Sequence, residues 1–277
     1  MYVEKETIAG MNHRLTSSNP LLIRVKSIIK HGLRLASTAF WTVRNEVFDR
    51  RGIATHYYLK GNGIEIGALH NPLNVSGKAT VRYVDRMTVT DLKAHYPEQK
   101  DLPLVNVDLV EDGETLTSIP STSQDFVIAN HFLEHCQNPI QTIHSMLRVL
   151  KPEGILYVGI PDKRYTFDVH RPVTDIAHLL RDYREGAEWS RKQHFLEWAK
   201  FPTLGYTSES EGLNDPRIEA EATRFMEQDY SIHYHVWTQT EILELLVTLQ
   251  KTLHFPFDVE LFLKNKDEMV LVLRKHA

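Results

Sequence analysis

The feature that most restricts this chain is a change of rhythm near residue 61, where short apolar strands begin to alternate with helical segments. "GIEIGA" (63–68) and "ATVRYVDR" (79–86) read as the first two strands, and "LVNVDLV" (104–110) as a shorter, weaker third. "QDFVIAN" (124–130) and "GILYVGIPD" (154–162) are the fourth and fifth. Between them "NPIQTIHSMLRVLKPEG" predicts a helix: Asn138 can cap it, Pro139 suits its first turn, and Ile140, Ile143, Leu147 and Leu150 share a face. Pro152 and Gly154 are expected to end it. Repeated strand–helix units imply a parallel sheet covered on both sides. "TQTEILELL" restarts a helix with Thr238 and Glu241 in a capping box, and "FDVELFL" and "EMVLVLR", separated by "KNKD", close the chain as an antiparallel hairpin.

Two segments fall outside that rhythm. Residues 1–51 carry nine basic residues against four acidic ones, leaving +5, and place Leu22, Val25, Ile29, Leu33, Ala36 and Phe40 at helical spacing. They predict an N-terminal helical segment packed on a main domain over 52–277, with a basic helix touching a membrane surface as the alternative. Residues 163–235 are rich in histidine, aromatic and charged side chains. "AHLLRDYREG" and "RKQHFLEWAK" read as helices and "TLGYTSESEGLNDPR" as loop, so the stretch is expected to be an insertion covering the active site.

The net charge of −4 offers no bulk attraction to nucleic acid, and none is expected as a partner. One cysteine, Cys136, excludes an internal disulfide and a multi-cysteine zinc site. The first ten residues lack the apolar core of a secretory signal, and no run approaches the roughly 18 apolar residues of a membrane span. A cytoplasmic protein is expected. The sequence holds no signature of oligomeric state.

"GIEIGALHNPL" (63–73) ends strand 1 where an open parallel sheet places its ligand crevice. Gly67 lets the backbone approach a ligand closely. Asp85, twenty residues beyond Glu65 at the end of strand 2, can accept hydrogen bonds from both hydroxyls of a ribose. Asp108 is read as following strand 3, where it or a neighbouring amide meets an adenine edge. A dinucleotide loop needs further glycines, and here Gly67 is followed by Ala68, Leu69 and His70.

"EIGA", "VDR", "DLVEDGETL", "DFVIANHFLEH" and "VLKPEGILYVGIPD" follow one another as in the class I S-adenosylmethionine-dependent methyltransferases, and "NHFLEHCQNP" followed by "MLRVLKPEGILYVGIP" is similar to their small-molecule branch. The resemblance implies a Rossmann-like, doubly wound, seven-stranded α/β sheet and S-adenosylmethionine as cofactor. It implies that Glu65, Gly67 and Ala68 border the methionine part, Asp85 and Arg86 the ribose, Asp108 and Leu109 the adenine, and that Asn130 and His131 line the cleft. "FDVHRPVTDIAHLLRDY" and "SIHYHVW" resemble methyltransferases associated with glycan assembly, which implies O-methylation of a sugar, a glycan or another polar small molecule. Transfer to nitrogen, carbon or carboxylate, or a non-catalytic binding role, are the alternatives.

An alcohol acceptor needs a general base or a metal to remove its proton. His131, His170, His233 and His235 are the candidate bases, and an extended "HYHVW" puts His233 and His235 on one side. The insertion is expected to supply the acceptor contacts through Arg164, Asp168, His170, Arg171, His233 and His235, with Tyr165, Phe167 and Trp237 as flat faces. In "HFLEH", His131, Glu134 and His135 would share a helical face and could hold a divalent ion; the reading without metal is preferred.

Overall fold

The computed structural model describes residues 50–277. Residues 1–49, and with them the expected amphipathic helices and membrane contact, lie outside the described residues; Arg50 and Arg51 open helix α1 (Arg50–Tyr58). Seven strands follow: β1 (Gly61–Ile66), β2 (Ala79–Asp85), β3 (Leu109–Val110), β4 (Gln124–Asn130), β5 (Leu150–Pro161), β6 (Phe257–Asn265) and β7 (Glu268–Lys275). They form one sheet in the order β3-β2-β1-β4-β5-β7-β6, and helix α2 (Val89–His95) lies between β2 and β3 in the chain. β1 to β5 are parallel to one another, and β7 runs antiparallel between β5 and β6. This is the expected Rossmann-like sheet with its terminal antiparallel hairpin. The chain leaves β1 toward β2 and β3 and returns to β4 on β1's other side, so the switch-point crevice lies above the carboxyl ends of β1 and β4.

The central strands read as continuous apolar runs because both their faces are buried. Val127, Ala129, Leu156, Val158, Met269 and Leu271 pack under helices α3 (Pro139–Val149) and α7 (Gln239–Lys251). The alternate residues Phe126, Ile128, Tyr157, Val270 and Val272 form a second core with Ala54 of α1, Leu59 and Leu73. Each buried Val, Leu, Ile, Phe or Met among them contributes roughly 1.5–3 kcal/mol relative to exposure.

The structure moves some expected boundaries. Helix α3 ends at Val149, because Leu150 already pairs with Gln124; β5 then absorbs Pro152 and Gly154 across a register shift. β3 pairs over only two residues beside β2, as befits a strand at the sheet edge. Within 163–235 the two expected helices are α4 (Ile176–Glu185) and α5 (Glu188–Trp198). A third, α6 (Pro216–Glu227), replaces the end of the expected loop: Asp215 caps it by accepting from the Arg217 amide, and Pro216 opens it. Phe195, Ala199, Ala222, Phe225, Ile232 and Tyr234 give this region its own small core.

The capping box that opens α7 is formed. Glu241 Oε2 accepts from the Thr238 amide at 2.8 Å, and Thr238 Oγ1 accepts from the Thr240 amide at 3.3 Å. Thr238→Ala is expected to cost about 1 kcal/mol, a drop of roughly 2–4 °C in thermal midpoint measured by circular dichroism.

Candidate active site

Four strand ends converge on one cleft of about 470 Å³, a volume suited to a nucleoside-sized ligand. Ile66 and Gly67 leave β1, Asp85 and Arg86 leave β2, Asp112 and Gly113 follow β3, and His131 and Phe132 follow β4. The far wall is the end of the insertion, through Asp229, Tyr230, Ser231 and Tyr234.

The turn after β1 is set by two residues. Gly67 has φ 67, while an added Cβ would meet only Phe132 at 3.5 Å, so backbone conformation and not space calls for glycine here. Glu65 lies beneath the loop, 1% exposed, with Oε1 accepting from the Leu73 amide at 2.9 Å. Burial pushes its pKa up to about 7 against that hydrogen bond. Glu65 therefore shapes the loop and does not line the cleft, and Ala68 is likewise buried.

Asp85 lines the cleft, and burial raises its pKa against hydrogen bonds from the Arg86 and Met87 amides. Arg86 donates to Asp229 at 2.8 Å and to Tyr96 Oη at 2.7 Å, tying the insertion to the cofactor side of the sheet. Asp108 requires correction. It precedes β3, and its carboxylate accepts from the Tyr83 amide at 2.9 Å. Leu109 packs against the main core. The cleft residues after β3 are Asp112, Gly113 and Glu114. Gly113 is needed for space, since a Cβ there would stand 2.5 Å from Ile66 and 2.6 Å from Phe132. Asn130 packs against Gly159 and does not line the cleft.

His131 is at the cleft with φ 50. Its Nε2 lies 2.8 Å from Glu268 Oε2, and Glu268 also accepts from Arg51 and from Asn265 Nδ2 at 2.6 Å. Burial alone would raise the Glu268 pKa, but these three donors bring it down to about 2. Burial alone would lower the His131 pKa, but the bond to Glu268 and the charges of Glu134 and Glu268 outweigh it and raise the pKa.

The other candidate bases do not reach the cleft. His170 is exposed and away from the lining residues. His233 is buried, with Nδ1 2.6 Å from Asp168, and His235 is fully buried among His178, Asp182 and His194. The expected acceptor contacts from Arg164, Tyr165, Phe167, Asp168, Arg171 and Trp237 are absent from the cleft wall too. The "HFLEH" segment is a single tight turn at Leu133–His135 and not an α-helix. It brings Glu134 and His135 together with His233, whereas His131 Nε2 turns to Glu268. Burial drives the His135 pKa down to about 3. Glu268 and Arg51 lie far from "HFLEH" in the chain, so local spacing gave no sign of them; Tyr234 stood between two histidines already singled out.

The strand order, the carboxylate after β2 and the glycine turn after β1 fit S-adenosylmethionine. Residues 61–158 match the family model described as "Methyltransferase domain". That match spans β1 to β4 and most of β5, the strands that build the cleft, and the family it points to implies S-adenosylmethionine as cofactor. None of the curated proteins compared matches it. Similar solved structures include a SAM-dependent methyltransferase from Aquifex aeolicus, 14% identical, covering 85% of this chain and 93% of that one with a TM-score of 0.42. A possible histamine N-methyltransferase from Thermotoga maritima is 14% identical, covering 86% and 96% with a TM-score of 0.41. The CurJ carbon methyltransferase is 15% identical with a TM-score of 0.40; 80% of this chain is covered, and it spans half the length of that protein.

The buried Glu65 gives a pH test. Because its folded pKa is raised, the destabilisation is absent well below the ordinary carboxylate pKa and grows as pH rises to about 7. Glu65→Gln is therefore expected to gain about 2 kcal/mol over the parent protein on going from about pH 5.5 to about pH 8, read from urea midpoints.

Proposed function

We propose that this methyltransferase O-methylates a neutral polar small molecule, a sugar or glycan hydroxyl, in the cytoplasm, with His131 as general base. The observation that carries the reading is the His131–Glu268 pair at the cleft. With Glu268 ionised, the bond between them requires Nε2 to donate, which leaves Nδ1 as the atom that can take a proton. The fixed charge of Glu268 then stabilises the imidazolium that forms. S-adenosylmethionine, when bound, supplies an electrophilic methyl group on a sulfonium.

The charge of the cleft supports a neutral acceptor. Asp85, Glu98, Asp112 and Glu114 line it, which favours a cationic cofactor and opposes a phosphorylated acceptor. Phe132, Tyr230 and Tyr234 offer flat faces and Gln137 and Ser231 offer hydrogen bonds, a mixture suited to a sugar ring. Gly67 would admit the cofactor to the backbone, and Asp85 would accept from the ribose hydroxyls. The single cysteine, buried and free, agrees with a reducing compartment.

The test is a screen of neutral sugars and glycans with methyl-labelled cofactor, followed by variants. Asp85→Ala should weaken cofactor binding by about 2–4 kcal/mol in calorimetry, the loss of two hydrogen bonds to a charged acceptor. Unchanged affinity in a folded variant would remove Asp85 from the cofactor site.

His131→Ala should lower kcat by about 10²–10⁴-fold while leaving cofactor affinity in place. In the parent protein kcat should rise with pH through the raised pKa of His131, and Glu268→Gln should move that limb to lower pH. Full turnover by His131→Ala would refute the base assignment. Labelling of amines or carboxylates alone would refute the hydroxyl acceptor.

A further inference from the structure

Behind the insertion's side of the cleft lies a second constellation that the methyl-transfer reading does not use. Helix α4 carries His178 and Asp182 four residues apart, so both project from one face. Helix α5 brings His194 to the same point, and His235 arrives from the extended segment that leads to Trp237. His178 Nε2 lies 3.2 Å from His194 Nε2 and 3.2 Å from Asp182 Oδ2, and His235 Nε2 lies 3.7 Å from the same oxygen. All four donor atoms fall within 4.8 Å of one another. Zinc–ligand bonds of about 2.0–2.1 Å in a tetrahedron place neighbouring donor atoms about 3.3 Å apart. Two of the measured edges, at 3.2 Å, lie just under that value, and the third, at 3.7 Å, lies above it.

A hydrogen-bond network satisfies the same atoms poorly. Between two imidazole Nε2 atoms at most one proton can be shared. Asp182 Oδ1 accepts from Ser190 Oγ at 3.0 Å, but Oδ2 is buried without a hydrogen-bond partner. Asp182 and His235 are 0% exposed and His194 4%, so solvent does not make up the deficit. The one competing use of these nitrogens is a 3.3 Å contact between His235 Nε2 and the Gln137 carbonyl.

We propose that His178, Asp182, His194 and His235 form a tetrahedral structural zinc site that fastens α4 and α5 to the segment 231–237. Three imidazoles and a carboxylate, without thiolate or an all-oxygen shell, suit zinc over magnesium or calcium. Four protein ligands leave no open coordination position, so the ion is structural and not catalytic. Gln137 lines the cleft, and Asn138 Nδ2 donates to the Asp182 carbonyl at 2.9 Å. The ion thereby stiffens the wall on which the acceptor rests.

The other group of metal-binding residue types among the described residues, Glu134, His135 and His233, offers three donor atoms, two of them imidazole. Counting imidazoles separates the two. The full chain, purified without chelator and dialysed against micromolar zinc, should hold one zinc by mass spectrometry. X-ray absorption at the zinc edge should show three imidazoles per ion. Cobalt in its place should give the intense visible bands of a tetrahedral ion, and chelation should lower the thermal midpoint.

Asp182→Asn and His194→Gln should each weaken zinc binding by more than the roughly 10–100-fold that loss of an outer-shell partner costs. Glu134→Gln should leave the stoichiometry at one. A folded protein that takes up no zinc overturns the proposal, as does an ion with two imidazoles or one lost only in Glu134→Gln. The absorption measurement needs no variant, so a His194→Gln chain that does not fold leaves the decision intact.

Discussion

A carboxylate almost out of contact with water, at the edge of the sheet where ligands bind, has to be surrounded by donors or it destabilises the fold. Glu268 is that group, 3% exposed, and its donors come from three separate places: Arg51 in α1, His131 after β4 and Asn265 at the end of β6. The arrangement depends on the direction of β7. Because β7 runs antiparallel to β5, its first residue pairs with Pro161 at the carboxyl end of β5. A parallel seventh strand would begin at the opposite edge, and its first side chain would lie far from the cleft. The terminal hairpin, which looks like a way of finishing the sheet, is thus what delivers a fixed negative charge to the site.

The insertion contributes differently from its composition. Its helices pack on a core of their own, and only its last turn and the following extended segment meet the cleft. That segment is held from both sides. The Tyr234 amide donates to the Glu134 carbonyl at 2.8 Å, while the fully buried guanidinium of Arg171 donates to the carbonyls of His233 at 2.8 Å and Tyr234 at 3.1 Å. Arg171 also meets Asp168 at 3.0 Å, and the Asp168 pKa, which burial would raise, is brought down by His233 and Arg171. Polar residues that look suited to grip a sugar are used to satisfy one another and to fix the backbone of the wall.

What could be read from sequence was whatever repeats or lies close along the chain. Two-sided burial makes the middles of β4 and β5 apolar, and a capping box is a four-residue pattern, so both were visible. Asp108 was misplaced because a strand that pairs over only Leu109 and Val110 has no periodicity to fix its start. Helix α6 was hidden by the run of turn-forming residues that precedes it, although Asp215 and Pro216 mark its beginning. Alternation correctly separated Tyr234 from His233 and His235, yet it cannot say which side of a segment faces a ligand. The link between His131 and Glu268 spans 137 residues and has no local trace.

Histidine content is a poor guide to the base for a physical reason. Fifteen histidines suggest ample proton-transfer capacity, but an imidazole buried without an ionised partner loses its ability to hold a proton. Burial carries His135 down to about 3, and His235 falls well below its ordinary value. Such groups stay neutral through the working range and cannot keep a proton taken from an alcohol. His131 keeps 42% of its side chain exposed but is still partly desolvated, and only the carboxylate of Glu268, with help from Glu134, reverses the direction of its shift. Among the described histidines whose titration is displaced, it alone moves upward, and it alone combines that shift with a place on the cleft. The distinction belongs to the partner and not to the histidine, which is why it appears only once β7 is in place.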